Sequence, residues 1–147
     1  MEKKVLANDV LLGEVSRLVA EGESITLMTK GVSMLPFIAG GRDSVVLERP
    51  SELKTGMIVL AHVGKDRYVL HRIISIEGNK VILMGDGNLK GVEKCLADDV
   101  KAVAVRIQRP SGETDCLSEK HLRRAVIWRK FLPVRRWILA VYRRLFI

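Results

Sequence analysis

Between Ser24 and Gln108 the chain is cut into short runs rich in Val and Ile, and this pattern constrains the fold more than any other feature. The runs are SITLMT (24–29), SVVLE (44–48), MIVLAHV (57–63), YVLHRIISIE (68–77), KVILM (80–84) and VKAVAVRIQ (100–108). Turn residues separate them: Gly40-Gly41, Arg49-Pro50, Lys54-Thr55-Gly56, Gly64-Lys65-Asp66, Gly78-Asn79 and Gly85-Asp86-Gly87-Asn88. Branched side chains suit a pleated surface, and glycine-rich breaks at this spacing leave no room for helices. The pattern predicts a mainly β domain, a compact antiparallel sheet coiled towards a barrel. Within it, YVLHRIISIEGNKVILM predicts a hairpin turning at Glu77-Gly78-Asn79.

The flanks obey a different period. From Val5 to Ala20, Leu11, Val15, Leu18 and Val19 recur at helical spacing with Asp9, Glu14 and Arg17 between them, predicting an amphipathic helix that ends near Glu21-Gly22. Helical patterning returns at Ser118, and Pro133 breaks it, because proline removes a donor and clashes with the preceding turn. The expected organisation is a domain over 1–117 followed by a basic, amphipathic helical tail over 118–147. A chain of 147 residues supports one sizeable core, and 48% hydrophobic against 29% charged residues excludes a disordered chain. No stretch approaches the roughly 20 apolar residues that span a bilayer. Charges at Asp9 and Glu14 make the start a poor signal peptide, so a cytoplasmic protein is expected.

The net charge of +8 is concentrated. Residues 120–147 hold nine Lys or Arg and no acid, leaving 16 basic and 17 acidic residues in 1–119, a body near −1. Five of the seven aromatics, Trp128, Phe131, Trp137, Tyr142 and Phe146, interleave with those basic residues. Arginine beside tryptophan and leucine on an amphipathic helix is the composition of a membrane-interface segment, so peripheral contact with a membrane surface is expected of residues 120–147. Nucleic acid is the less favoured polyanion. The bland alternative is a helix that packs one face on the domain and leaves its arginines in water.

No metal or cofactor is expected. Cys95 and Cys116 belong to no CxxC pair and are expected as free thiols, and His62, His71 and His121 lack ligand spacing. Three polar residues instead stand at strand ends or turns of an apolar sheet: Ser33 in GVSMLP, His71 in YVLHRI and Asp86 in GDGN. A serine hydroxyl becomes a nucleophile when a base takes its proton, neutral imidazole does so near pH 7, and a carboxylate on the other ring nitrogen fixes the tautomer. Each also has a plain reading. Ser33 suits a turn, His71 a half-buried strand position, and Asp86 an Asx contact within its own turn.

The flanking residues add a resemblance. GVSMLP, LKTGMIVLAHV, YVLHRIISIEG and LMGDGN stand in the order of the boxes of type I signal peptidases and LexA-like self-cleaving repressors. Where most of those proteins carry a lysine base this chain has His71, as in the archaeal and endoplasmic-reticulum type of signal peptidase. The resemblance implies a serine endopeptidase acting on a leader or precursor peptide bound as an extended strand, with small side chains at the cut. It implies Ser33 as nucleophile and, through its backbone N–H, one oxyanion donor; His71 as general base; Asp86 as the orienting acid; and Met34, Pro36 and Phe37 beside the substrate. The rival is a peptidase-like module without catalysis that binds a membrane surface or nucleic acid through its tail.

Overall fold

The computed structural model describes residues 8–65 and 67–146. Helix α1 (Asn8–Ala20) buries Leu12, Val15 and Val19, which the helical repeat places on one face. It closes where Gly22 takes φ of 98° and the Glu23 N–H reaches back to the Leu18 carbonyl at 3.2 Å. The expected first turn from Val5 lies outside the described residues.

Eight strands follow: β1 (Ile25–Met28), β2 (Ser44–Glu48), β3 (Ile58–Val63), β4 (Arg67–Glu77), β5 (Lys80–Met84), β6 (Glu93–Leu96), β7 (Val100–Arg109) and β8 (Gly112–Asp115). They form one antiparallel sheet in the order β1-β2-β7-β3-β4-β5-β6, with β8 paired to β7. Register slips at Val46/Leu47, Leu60/Ala61 and Ile73/Ser75 add local twist. The sheet curls into a half-barrel, the mainly β architecture expected of the Val/Ile runs. The hairpin between β4 and β5 turns at Gly78-Asn79, where Gly78 takes a φ of 59°.

The central strands β2 and β3 are buried on both faces. Ile58 and Leu60 join Val45, Leu47, Ala104 and Ile107 in a core capped by α1, while Val59, Ala61 and Val63 join Ile73, Val81 and Leu83 in a second core. Alternate residues of β3 thus enter different cores, which explains the continuous apolar run from Ile58 to Ala61.

The C-terminal segment is helical, with Ser118 capping α2 (Glu119–Lys130) by accepting the His121 N–H at 3.2 Å. A tight turn over Leu132–Val134, at Pro133, leads into α3 (Arg135–Phe146). This segment is docked on the domain. Trp128 and Leu139 pack with Leu35 and Ala39, and the Arg129 and Arg135 guanidinium groups donate to the Ile74 and Asn88 carbonyls at 3.0 and 2.9 Å. Among the described residues no helix is long and apolar enough to cross a membrane. Cys95 and Cys116 are free thiols.

Candidate active site

Ser33 lies on a loop closed at its base. The Thr29 N–H donates to the Asp43 carbonyl at 3.0 Å, the Gly41 N–H to the Thr29 carbonyl at 2.8 Å, and the Gly40 N–H to the Gly31 carbonyl at 3.1 Å. The buried Asp43 carboxylate accepts the Ala39 N–H at 2.8 Å and two donors of Arg42 at 2.8 and 3.0 Å. Burial alone would raise its pKa, but Arg42 and the Ala39 N–H outweigh burial and hold the carboxyl below its ordinary value. Leu35 and Ile38 anchor the loop in the interior, and Ser33 between them and solvent is half-buried.

The turn after β5 forms a wall against this loop. The Gly87 N–H donates to the Ser33 carbonyl at 2.7 Å. A Cβ on Gly85 would strike that same carbonyl, and one on Gly87 would strike the Val32 carbonyl. Glycine on either side of Asp86 is therefore what lets two backbones touch. Asp86 itself donates its N–H to the Met34 sulfur at 3.4 Å and accepts the Trp128 indole N–H on its carbonyl at 2.7 Å.

His71 reaches the same place from β4. Strand β5 pairs with β4 from Arg72 to Glu77, so β4 has no β5 partner at Tyr68–His71. Across from it β1 is the end strand, paired among the described residues with β2 alone. Between these edges runs a cleft of about 190 Å³ lined by Ser33 and His71, with Met34 and Ile38 from the loop and Leu11 and Leu12 from α1. Burial pushes the His71 pKa below 6.5 against the opposing pull of Glu93 and Asp86, which keeps the ring neutral at pH 7. Its Nδ1 is buried without a hydrogen-bond partner among the described residues. Among the described residues no hydrogen bond joins the Ser33 hydroxyl to the imidazole.

The expected third member is engaged elsewhere. Both Asp86 carboxylate oxygens accept from Arg72, Nε at 2.8 Å and Nη2 at 2.7 Å. The planar guanidinium thus holds the carboxylate at both oxygens, and among the described residues no hydrogen bond joins Asp86 to His71. Arg72 neighbours His71 along β4 and pairs with the acid that the resemblance assigns to the histidine. Its Nη1 donates to the Gly56 carbonyl at 2.7 Å and lies 3.2 Å from His121 Nε2.

Of the residues expected beside substrate, Met34 lines the cleft, whereas Pro36 and Phe37 line a shallow groove against α2 with Ile127, Trp128 and Phe131. Phe37 meets there both the Arg72 guanidinium, 4.8 Å from its ring centre, and the His121 ring, edge-on at 5.4 Å. Its size serves the joint between loop and helix. Sequence reasoning missed Arg72, His121 and Trp128 as residues that hold the site. Arg72 sits inside YVLHRI, but nothing in a linear pattern tells which acid it will meet. The chain matches no protein-family model and no curated protein.

Proposed function

We propose that the protein is a serine endopeptidase in which Ser33 is the nucleophile and His71 the general base. The observation that carries this reading is one cleft, flanked by strand β1 and the stretch of β4 without a β5 partner, lined by the half-buried Ser33 and by His71, whose imidazole burial keeps neutral. Two open backbone edges suit a peptide bound as an added strand. His71 takes the Ser33 proton as Oγ attacks the scissile carbonyl, then delivers it to the departing amine, leaving an acyl ester on Ser33. Water, deprotonated by the same imidazole, hydrolyses the ester and restores the hydroxyl. The Ser33 N–H makes no backbone hydrogen bond among the described residues, so it is available to a developing oxyanion. Asp86 acts as a positioning residue, through Arg72 and through the glycine wall behind Ser33.

A fluorophosphonate probe and a broad peptide library test the proposal on wild type, Ser33→Ala and His71→Ala. Labelling of Ser33 and cleavage by wild type alone support it; an unlabelled Ser33 with no cleaved peptide sinks it. That second outcome fits the rival of a non-catalytic module, which the unpartnered Nδ1 of His71 favours.

A further inference from the structure

Helix α3 has three faces, and among the described residues only one of them packs on the fold. At roughly 3.6 residues per turn, Trp137, Ile138, Val141 and Leu145 fall within about 100° of arc. All four are exposed, Trp137 at 60% and Leu145 at 68%. A second arc, carrying Arg135, Leu139 and Tyr142, packs inward. The third carries Arg136, Arg143 and Arg144, all exposed. An apolar stripe in water beside an arginine stripe contributes nothing to this domain, and an exposed apolar stripe costs free energy unless something covers it.

We infer that this face of α3 seats the protein on an anionic lipid surface, with the apolar stripe in the acyl boundary and the arginines among the headgroups. Charge decides between occupants. A second copy would bring arginines against arginines, and residues 120–147 contain no acid to answer them. Nucleic acid would satisfy the arginines and leave the apolar stripe wet. An anionic bilayer takes both stripes at once. Residues 1–119 are near −1, so attraction to such a surface is confined to the C-terminal helices. Arg136 already lies over Trp137, its guanidinium 5.0 Å from the ring centre, so cation and interfacial aromatic are presented as one unit. Helix α3 packs on the Ser33 loop through Leu139, Leu35 and Ala39, which places the lipid-facing element directly behind that loop. The inference stands whether or not the cleft is catalytic.

The test is co-sedimentation of the full chain with vesicles of phosphatidylcholine alone or mixed with phosphatidylglycerol. Wild type should bind the anionic vesicles at least about tenfold more tightly than the neutral ones. Emission from Trp137 should shift to the blue on binding, and added salt should weaken the association. Trp137→Glu with Val141→Glu should weaken binding to anionic vesicles about tenfold or more, and Arg136→Gln with Arg143→Gln and Arg144→Gln to a similar or greater extent. All five side chains are exposed, and an unchanged circular dichroism spectrum checks that the fold persists. Equal affinity for both vesicle types, or a double-glutamate variant that binds like wild type, overturns the inference. So does retention of duplex DNA without retention of anionic vesicles, or a dimer broken by the glutamates in a protein that ignores lipid.

Discussion

Arg72 and Asp86 form a buried two-pronged ion pair, and the rest of the candidate site is assembled around it. Both side chains are 5% exposed. Through Arg72 the pair reaches the Gly56 carbonyl, Phe37 of the Ser33 loop and His121 of α2; through Asp86 it reaches Met34 and Trp128. Removing one partner leaves the other charged, buried and unpaired. Asp86→Ala should therefore destabilise the protein by about 3–5 kcal/mol, read as a lower urea midpoint, and Arg72→Ala similarly. A triad aspartate would behave differently, lowering activity with stability kept. If Asp86→Asn leaves the urea midpoint unchanged while abolishing fluorophosphonate labelling, the structural role assigned to this pair is refuted.

The glycine wall makes a second prediction. Gly85→Ala and Gly87→Ala each drive a Cβ into a carbonyl of the Ser33 loop, and neither carbonyl can rotate away as a side chain could. Each should cost about 2 kcal/mol or more and reduce labelling of Ser33. Gly78→Ala is the control: its φ of 59° is strained for alanine, but its Cβ meets open space. It should cost about 1 kcal/mol and leave labelling intact. Thermal midpoints and labelling rates of the three variants separate steric contact from backbone preference.

The pH dependence of labelling reports on His71. Burial lowers its pKa, so the neutral base persists below pH 6.5 and is lost only as pH falls through the depressed value. The rate of Ser33 labelling should be flat from neutrality to below pH 6.5, then decline on the acid side, with folding checked at each pH. His71→Ala should lower the rate by about 10²-fold or more. An acid limb centred above 6.5 would exclude His71 in this environment as the base.

His121 gives a second, independent titration, in stability. Burial, then the nearby Arg72, Arg109 and Arg124 cations, lower its pKa to about 4, with Asp115 pulling weakly the other way. The unfolded chain binds this proton near pH 6.5 and the folded one near 4, so the contribution is complete above 6.5 and lost progressively as pH falls to about 4. The loss amounts to about 2 kcal/mol once solvent screening is allowed for. Urea unfolding of wild type and His121→Gln across this window should show a shallower acid decline in the variant.

What could be read from the sequence was what depends on neighbouring residues. The runs from SVVLE to VKAVAVRIQ became strands β2 to β5 and β7 because branched residues alternating between two cores leave little choice of backbone. Strands β6 and β8, EKCL and GETD, escaped notice. They are short and lack that pattern, and they form by pairing with β5 and β7, which only the assembled sheet supplies. Ser33 and His71 stand out in the sequence because each has a distinctive local setting, and the fold places both on one cleft. The partner of Asp86 was not legible, since Arg72 and His71 are adjacent in β4 and the turn after β5 selects between them in three dimensions. The tail is basic and amphipathic, as its sequence indicates, but Trp128, Arg135 and Leu139 are buried against the domain, and no count of charges shows which residues turn inward.

The contact of Gly85 and Gly87 with the Ser33 loop has a mechanical consequence. Side chains absorb a push by changing rotamer; two backbones in direct contact have no such slack. A displacement of the loop carrying Ser33 is therefore transmitted directly to the end of β5. A load applied to the hydroxyl passes through the Ser33 carbonyl into the Gly87 amide, and from there through the Asp86 backbone into the indole of Trp128. The smallest residues in the site thus set its rigidity.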